Sequence, residues 1–202
     1  MMEKSRKFRI AFLTIFVGVM MLSACGRTPP AKFYTLQPVE RAALGNSISR
    51  DVALAVGPVA IPEEMDRAEI VTHDADNAVS FSEFHRWAGP LQESIASVLA
   101  QNIGSLLETE RITPFTKENI FQASHRVVIN INRYESRLSK EFLLNATWSI
   151  KDLEGRKPLL IRNSIIREPL TSANYEELVA AQSKALAELS QQIATGIVEV
   201  VP

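Results

Sequence analysis

Residues 142–151, FLLNATWSIK, contain the clearest two-residue period in the chain. Apolar side chains occupy the even positions from 142 to 150, and polar side chains occupy the odd positions from 145 onward. Successive side chains of a β-strand point to opposite faces, so this stretch predicts a strand with one buried and one solvated face. A solvated face is typical of an antiparallel sheet, and we therefore expect this strand to belong to a meander.

Further strand candidates lie on both sides of this stretch. They are residues 33–36, 52–61, 69–72, 78–81, 127–132 and 159–167. The first is short and is expected at the start or edge of a sheet, and Gly57-Pro58 predicts a bend or bulge within the second. We expect the third and fourth to form a hairpin, and Glu154-Gly155 to supply the turn before the last.

Two segments have apolar residues at helical spacing. The first stripe is Leu91, Ile95, Val98, Leu99, Ile103, Leu106 and Leu107, with Pro90 expected in the first turn. The second helix is expected to open at Asn174, with Glu177 as its capping partner, and Gln182 is expected at the edge of its stripe. Together with the strands, these helices predict an α+β fold: a two-layer domain whose mostly antiparallel sheet is covered on one face by two amphipathic helices.

Residues 1–24 have the order of a bacterial secretory signal. Lys4, Arg6, Lys7 and Arg9 precede an uncharged apolar run over residues 10–22. A helix needs about 20 residues to cross the hydrocarbon core of a bilayer, so this run predicts a cleaved signal peptide rather than a transmembrane helix.

Cys25 is the only cysteine of the chain and follows the small residues Ser23 and Ala24. This order resembles the lipobox of bacterial lipoproteins, in which the cysteine sulfur receives a diacylglycerol, the preceding peptide is removed and the new amino group is acylated. The alternative is an ordinary secretory signal with an incidental thiol. We expect Cys25 to be a lipid anchor, and acylation by two or more chains holds a protein stably on a membrane.

The residues after Cys25 indicate a short tether. Gly26 stands where aspartate, in the lipoprotein family, favours retention at the inner membrane, so the glycine indicates the outer membrane. Residues 26–32 span at most about 25 Å when extended. We expect residues 25–32 to be the lipidated N-terminus and tether, and residues 33–202 to be one domain held near the membrane.

Charge argues against a nucleic-acid partner. The chain has 22 Lys and Arg against 23 Asp and Glu, and residues 1–24 contain four of the basic and one of the acidic side chains. Removal of the signal leaves a formal charge of about −4, whereas nucleic-acid-binding surfaces are strongly basic.

The sequence contains little that predicts catalysis. His73, His85 and His125 lack metal-site spacing, and no phosphate-binding, dinucleotide-binding or nucleophile-elbow motif is present. Acidic residues cluster at Glu63, Glu64 and Asp66 and at Asp74 and Asp76, but without calcium-loop spacing. We predict no catalytic residue, cofactor or metal site.

Arg86-Trp87 is the most prominent candidate for a partner interface. Arginine and tryptophan are enriched among residues that dominate binding energy. For Trp87 the favoured interpretation is that it packs as a staple against the first helix, and an exposed partner-binding anchor is the alternative. Trp148 lies on the apolar face of residues 142–150 and is expected in the core.

Several stretches together resemble the ABC-type transport auxiliary lipoproteins. They are KFYTLQP (32–38), VGPVAIPEEMDRAEIVT (56–72), FHRWAGPLQESIASVLAQNI (84–103) and NYEELVAAQSKALAELSQQIA (174–194). Met65 and Gly89 depart from the commoner residues of the family, and neither alters the apolar pattern.

The resemblance implies a non-enzymatic subunit of an envelope lipid-transport system. Such a subunit sits in the outer membrane, faces the periplasm, and meets a protein of the mammalian cell entry (MCE) class together with inner-membrane transporter subunits. It supports membrane integrity, and ring-like association of copies is compatible with this role. The alternatives are an assembly lipoprotein of a secretion or pilus complex and a periplasmic enzyme that modifies the envelope.

Overall fold

The computed structural model describes residues 29–45, 52–74, 78–115, 123–152 and 158–201. Residues from Ala31 onward form one compact unit. Its elements are β1 (Lys32–Tyr34), β2 (Leu54–Ala60), β3 (Glu69–His73), β4 (Val79–Trp87), α1 (Leu91–Leu107), β5 (Ile112–Pro114), β6 (His125–Arg137), β7 (Glu141–Asp152), β8 (Pro158–Pro169) and α2 (Tyr175–Val200), with a 3₁₀ turn at Glu63–Met65. The turn predicted at Glu154-Gly155 and the loop residue Asp76 lie outside the described residues.

The strands of the described part form two sheets. The larger sheet has the order β5-β2-β6-β7-β8, and the smaller one has the order β1-β4-β3. The meander β6-β7-β8 and the hairpin β3-β4 are antiparallel, as expected. The single sheet that the sequence predicted is instead divided in two, and β2 pairs in parallel with both β5 and β6, while β1 pairs in parallel with β4.

The central strand β7 has the two faces predicted from its period. Phe142, Ala146 and Ile150 are fully buried, and Trp148 is 1% exposed. The opposite face is polar, and there the side chain of Asn163 on β8 donates hydrogen bonds to Asn145 and Thr147. The apolar face of β7 therefore fixes one side of the core.

Both helices bury their apolar stripes, which confirms the α+β class with helices packed on a sheet. Ile95, Leu99 and Ile103 of α1 are fully buried. Pro90 is the N-cap of α1 and precedes the first turn, where its lack of an N–H leaves no helical hydrogen bond unmade. Gly57-Pro58 is a cis peptide at the expected irregularity, between Val56 and Val59 of β2.

Gln182 is a correction to the sequence analysis. It was expected at the edge of the α2 stripe, but it is 1% exposed. Its Nε2 donates to Oγ of Ser136 on β6 at 3.2 Å. Buried polar groups are usually hydrogen-bonded, and Ser136 is the partner of the Nε2 group of this amide.

The residues predicted at the start of α2 lie there, but their hydrogen bonds differ from those of a capping box. Oδ1 of Asn174 accepts a hydrogen bond from the Glu176 amide at 2.7 Å. Glu177 reaches further back: its carboxylate accepts bonds from the amide and hydroxyl of Thr171, both at 2.8 Å, and from Ser172. The Ser172 hydroxyl and the Thr171 groups lower the pKa of Glu177 to about 2.

Candidate functional site

Trp87 lies at the end of β4 and belongs to the core. Its side chain is 6% exposed, and its amide donates to the Ala68 carbonyl at 2.7 Å. In the register of the small sheet it lies opposite Tyr34, so both residues share the face that looks toward α2. The burial of the ring agrees with the favoured interpretation that Trp87 packs in the core, and the role of Arg86 and Trp87 in a partner interface stays a prediction.

Arg86 lies on the opposite face of β4 and is accessible. Its Nη2 is 2.6 Å from Oε1 of Glu69, and its side chain is 39% exposed. Glu69 also lies 3.6 Å from Nε of Arg67, whose guanidinium is 3.8 Å from the ring centroid of Phe81. Arg86 thus belongs to a connected surface cluster rather than acting as a lone charge.

Phe33 extends this cluster onto β1. It lies opposite Arg86 in the parallel register, so the two side chains are on the same face of the small sheet. Phe33 is 66% exposed and Phe81 is 46% exposed. We call the surface formed by Phe33, Arg67, Glu69, Phe81 and Arg86 the aromatic-basic patch.

An aromatic group on the inner side of β1 and β4 holds the small sheet against α2. The ring of His85 stacks on Tyr175 with centroids 3.9 Å apart, and the centroid of Tyr34 lies 5.8 Å from that of His85. The Tyr34 hydroxyl donates to Glu176, and Lys32 forms an ion pair with the same carboxylate. Burial, reinforced by Glu176, raises the pKa of Tyr34 to about 12.

A polar cavity of about 640 Å³ lies between the end of β3 and the end of β6. His73 contributes to its lining, and Nδ1 of that ring accepts a hydrogen bond from the Ser136 amide at 3.3 Å. The neutral ring therefore carries its proton on Nε2. Because burial lowers the pKa of His73 and its acceptor nitrogen is already engaged, the ring is poorly suited to act as a general base.

Glu135, which also lines this cavity, forms ion pairs with two arginines. Nε of Arg133 lies 2.6 Å from Glu135, and Arg137 lies 3.3 Å from it. The hydrogen bond from Arg133 lowers the pKa of Glu135, so the group is ionised and paired near neutral pH. These charged side chains form a solvated ion-pair network along the wall of the cavity.

The acidic groups singled out in the sequence form no metal site among the described residues. Glu64 and Asp74 both line the cavity, and Asp74 accepts a hydrogen bond from the Ser80 hydroxyl at 2.7 Å. No cluster of three potential metal ligands occurs among the residues that the structure describes. His125 contacts Ser124 at the start of β6, away from His73.

The lipidation candidate Cys25 lies outside the described residues. No helix within the described ranges has the length and apolar character that crossing a membrane requires.

The sequence analysis missed the two phenylalanines of the patch. The alternation of β1 offered a signal, since Phe33 and the partly buried Tyr34 must point to opposite faces. Phe81 gave no such signal, because its exposure depends on how β4 pairs with β3.

Comparison with known families identifies the domain. The family model of the ABC-type transport auxiliary lipoprotein component matches residues 34–194. The match covers most of the chain, and the chain therefore belongs to this family.

Solved structures support the same fold. A Xanthomonas campestris protein of family DUF330 aligns with a TM-score of 0.70 at 12% identity, covering 84% of this chain and 96% of that chain. A second crystal structure, of an uncharacterized protein, aligns with a TM-score of 0.69 at 16% identity, covering 84% and 99%. At these identities the likeness shows the fold alone. The comparison with curated proteins gives no match.

Proposed function

We propose that this protein is a lipid-anchored, non-enzymatic adaptor of an MCE-type envelope lipid-transport system. Cys25 carries the lipid and holds the domain on the periplasmic side of the outer membrane. There the domain docks an MCE-class protein that connects to the inner-membrane transporter subunits, and so supports membrane integrity. The observation that carries the proposal is a lipobox-like cysteine placed directly before a domain that the auxiliary-lipoprotein family model covers from residue 34 to 194.

The short tether gives this arrangement a physical advantage. A tethered domain meets its partner at a high effective concentration, so an interface of modest intrinsic affinity is sufficient. The lipid anchor keeps the domain at the membrane, so the domain does not have to find its partner by diffusion through the periplasm. No chemical step by this chain is needed.

The polar cavity supports a non-enzymatic role. Glu135 is paired with two arginines, and the acceptor nitrogen of His73 is occupied by a backbone amide. A working acid or base needs a proton site that substrate can reach. His73 instead joins β3 to the end of β6, and the ion pairs of Glu135 lie within β6.

Association of copies into a ring is part of the proposal. β8 is an edge strand of the large sheet. Ile161 is 61% exposed and Ile165 is 60% exposed on this strand. An exposed edge with apolar side chains is a ready template for pairing with another chain.

Crosslinking in intact cells, followed by mass spectrometry of the purified products, tests the adaptor role. The proposal predicts adducts with an MCE protein or with transporter subunits, and their loss in a Cys25→Ser variant expressed at the same level. Adducts confined to secretion or pilus components would assign the protein to another envelope complex instead.

A further inference from the structure

We propose that the aromatic-basic patch rests on the lipid surface to which Cys25 is anchored, so that the domain has a fixed orientation on the bilayer. This inference rests on the lipid anchor of the proposed function and goes beyond it. It also assigns a ligand class, the phospholipid headgroup layer, to the surface that contains Arg86.

The position of the anchor restricts what can cover Phe33. Cys25 precedes Phe33 by eight residues, and a chain of that length spans at most about 28 Å when fully extended. The acylated sulfur cannot leave the bilayer, so β1 is the element held closest to it along the chain. Pro29-Pro30, which favours an extended conformation, lies within this tether.

The composition of the patch matches an interfacial layer. Phenylalanine is among the side chains that membrane-surface segments bury at the boundary between the headgroups and the acyl chains. Phe33 and Phe81 are the most exposed aromatic rings of the described residues, and both lie in the small sheet that begins with the tether strand. The isolated domain gives no reason for this exposure, whereas a surface that rests on the lipid headgroups is expected to present such rings.

The charges of the patch fit phosphate groups. Arg67 and Arg86 flank Glu69, which pairs with both, so the three side chains carry one positive charge in excess. Guanidinium groups bind phosphate through well-oriented N–H donors, and long basic side chains keep their charge at the interface while their stems lie against apolar groups. Arg67 already has this arrangement, since its guanidinium lies over the ring of Phe81.

Site-specific fluorescence tests this orientation in the lipidated full-length protein. Lipidation blocks the sulfur of Cys25, so Phe33→Cys introduces the single free thiol, which is labelled with an environment-sensitive dye. The protein is reconstituted into vesicles of phosphatidylethanolamine and phosphatidylglycerol. Flotation with the vesicles first establishes that the anchor is present, which separates this test from failure of the proposed function.

Thr195→Cys provides the matched control. Thr195 is exposed on α2, 19 residues beyond the Glu176 carboxylate that binds Lys32, which is about 28 Å along the helix. We expect the dye at position 33 to shift its emission to shorter wavelength and to lose quenching by aqueous iodide when the protein is on vesicles. Iodide should fully quench the dye at position 195. Adding Phe81→Ser to the Phe33→Cys variant should restore part of the quenching at position 33.

Two results would overturn the proposal. Equal quenching at positions 33 and 195 on vesicles would show a domain that turns freely on its tether. Protection at position 33 in detergent micelles, increasing with protein concentration, would show that a second copy covers the patch instead of lipid.

Discussion

Gly196 shows how one residue sets the distance between α2 and the large sheet. A Cβ atom added there would lie 2.8 Å from the Trp148 ring and 2.9 Å from Leu160. Glycine is usually unfavourable within a helix, by about 1 kcal/mol relative to alanine. Here the absence of a side chain allows the indole to pack directly against the helix backbone.

Gly196→Ala is therefore expected to destabilise the domain despite the better helix propensity of alanine. Overpacking a core costs about 1–3 kcal/mol, which exceeds the propensity gain. Urea unfolding measures the difference. Gly89→Ala is the control, because nothing lies within 4 Å of its added Cβ; its stability should be unchanged or raised by up to about 1 kcal/mol. A stabilised Gly196→Ala variant would contradict this packing.

Glu177 makes the stability of the domain sensitive to acid. Its pKa is lowered from 4.5 to about 2 by the hydroxyls and amides of Thr171 and Ser172. A group with a depressed pKa in the folded state stabilises above its unfolded pKa, and that contribution is lost as the pH falls through the folded value. We expect the stability difference between the wild type and Glu177→Gln to be present at pH 6 and to shrink between about pH 4.5 and pH 2.

Thermal unfolding across this pH range measures the effect. Glu168→Gln on β8 is a suitable control, because it removes one carboxylate but keeps the hydrogen bonds from Thr171 and Ser172 to Glu177. An unchanged difference between wild type and Glu177→Gln from pH 6 to pH 2 would show that the carboxylate does not act through its charge.

At the scale of elements, the periodicity of the sequence predicted those strands and helices whose pattern lies within one segment. The alternation of β7 and the helical stripes of α1 and α2 identified the correct segments, because each buries one face against the same core. β5 was missed because three residues ending in Pro114 carry no period. The parallel pairing of β2 with β6 also left no local signal, since it depends on contacts between distant segments.

The candidate site was less predictable than the fold for the same reason. Whether Trp87 or Arg86 faces outward is decided by the pairing of β4 with β1 and β3. The burial of Gln182 depends on Ser136, a residue of another element. Such partners become visible only when the register is known.

Ser164 links three elements, and its removal tests their packing. Its hydroxyl accepts a hydrogen bond from Nε1 of Trp148 at 2.8 Å and donates to Gln192 at 2.6 Å. Ser164→Ala leaves the buried indole N–H without this acceptor, which costs about 1–3 kcal/mol. Chemical denaturation should show this loss, whereas Ser149→Ala, on the polar face of β7, should change stability by less than about 0.5 kcal/mol. Equal effects of the two substitutions would contradict the assigned network.

At the scale of the whole molecule, the proposed membrane anchor and the folded core come from different parts of the sequence. The core is built from residues 36–201, while membrane attachment is assigned to Cys25. Each acyl methylene that enters the bilayer contributes about 0.8 kcal/mol, so a multiply acylated cysteine outweighs the other contacts of the domain with the membrane.

Cys25→Ser should accordingly abolish acyl labelling and leave an untrimmed precursor. The described domain should unfold at the same temperature as in the wild type, because no core residue is changed. Metabolic labelling with a radioactive fatty acid and a melting curve of the purified protein measure the two parts. Normal acyl labelling of Cys25→Ser would show that another residue carries the lipid.

The mass and composition of the complex extracted from membranes in mild detergent show whether this protein is a lipid-anchored adaptor. We expect the lipidated protein to be recovered with an MCE-class protein and transporter subunits, in an assembly that Cys25→Ser does not enter. Recovery of the wild-type protein as a lone, unmodified polypeptide in the soluble fraction would contradict this expectation.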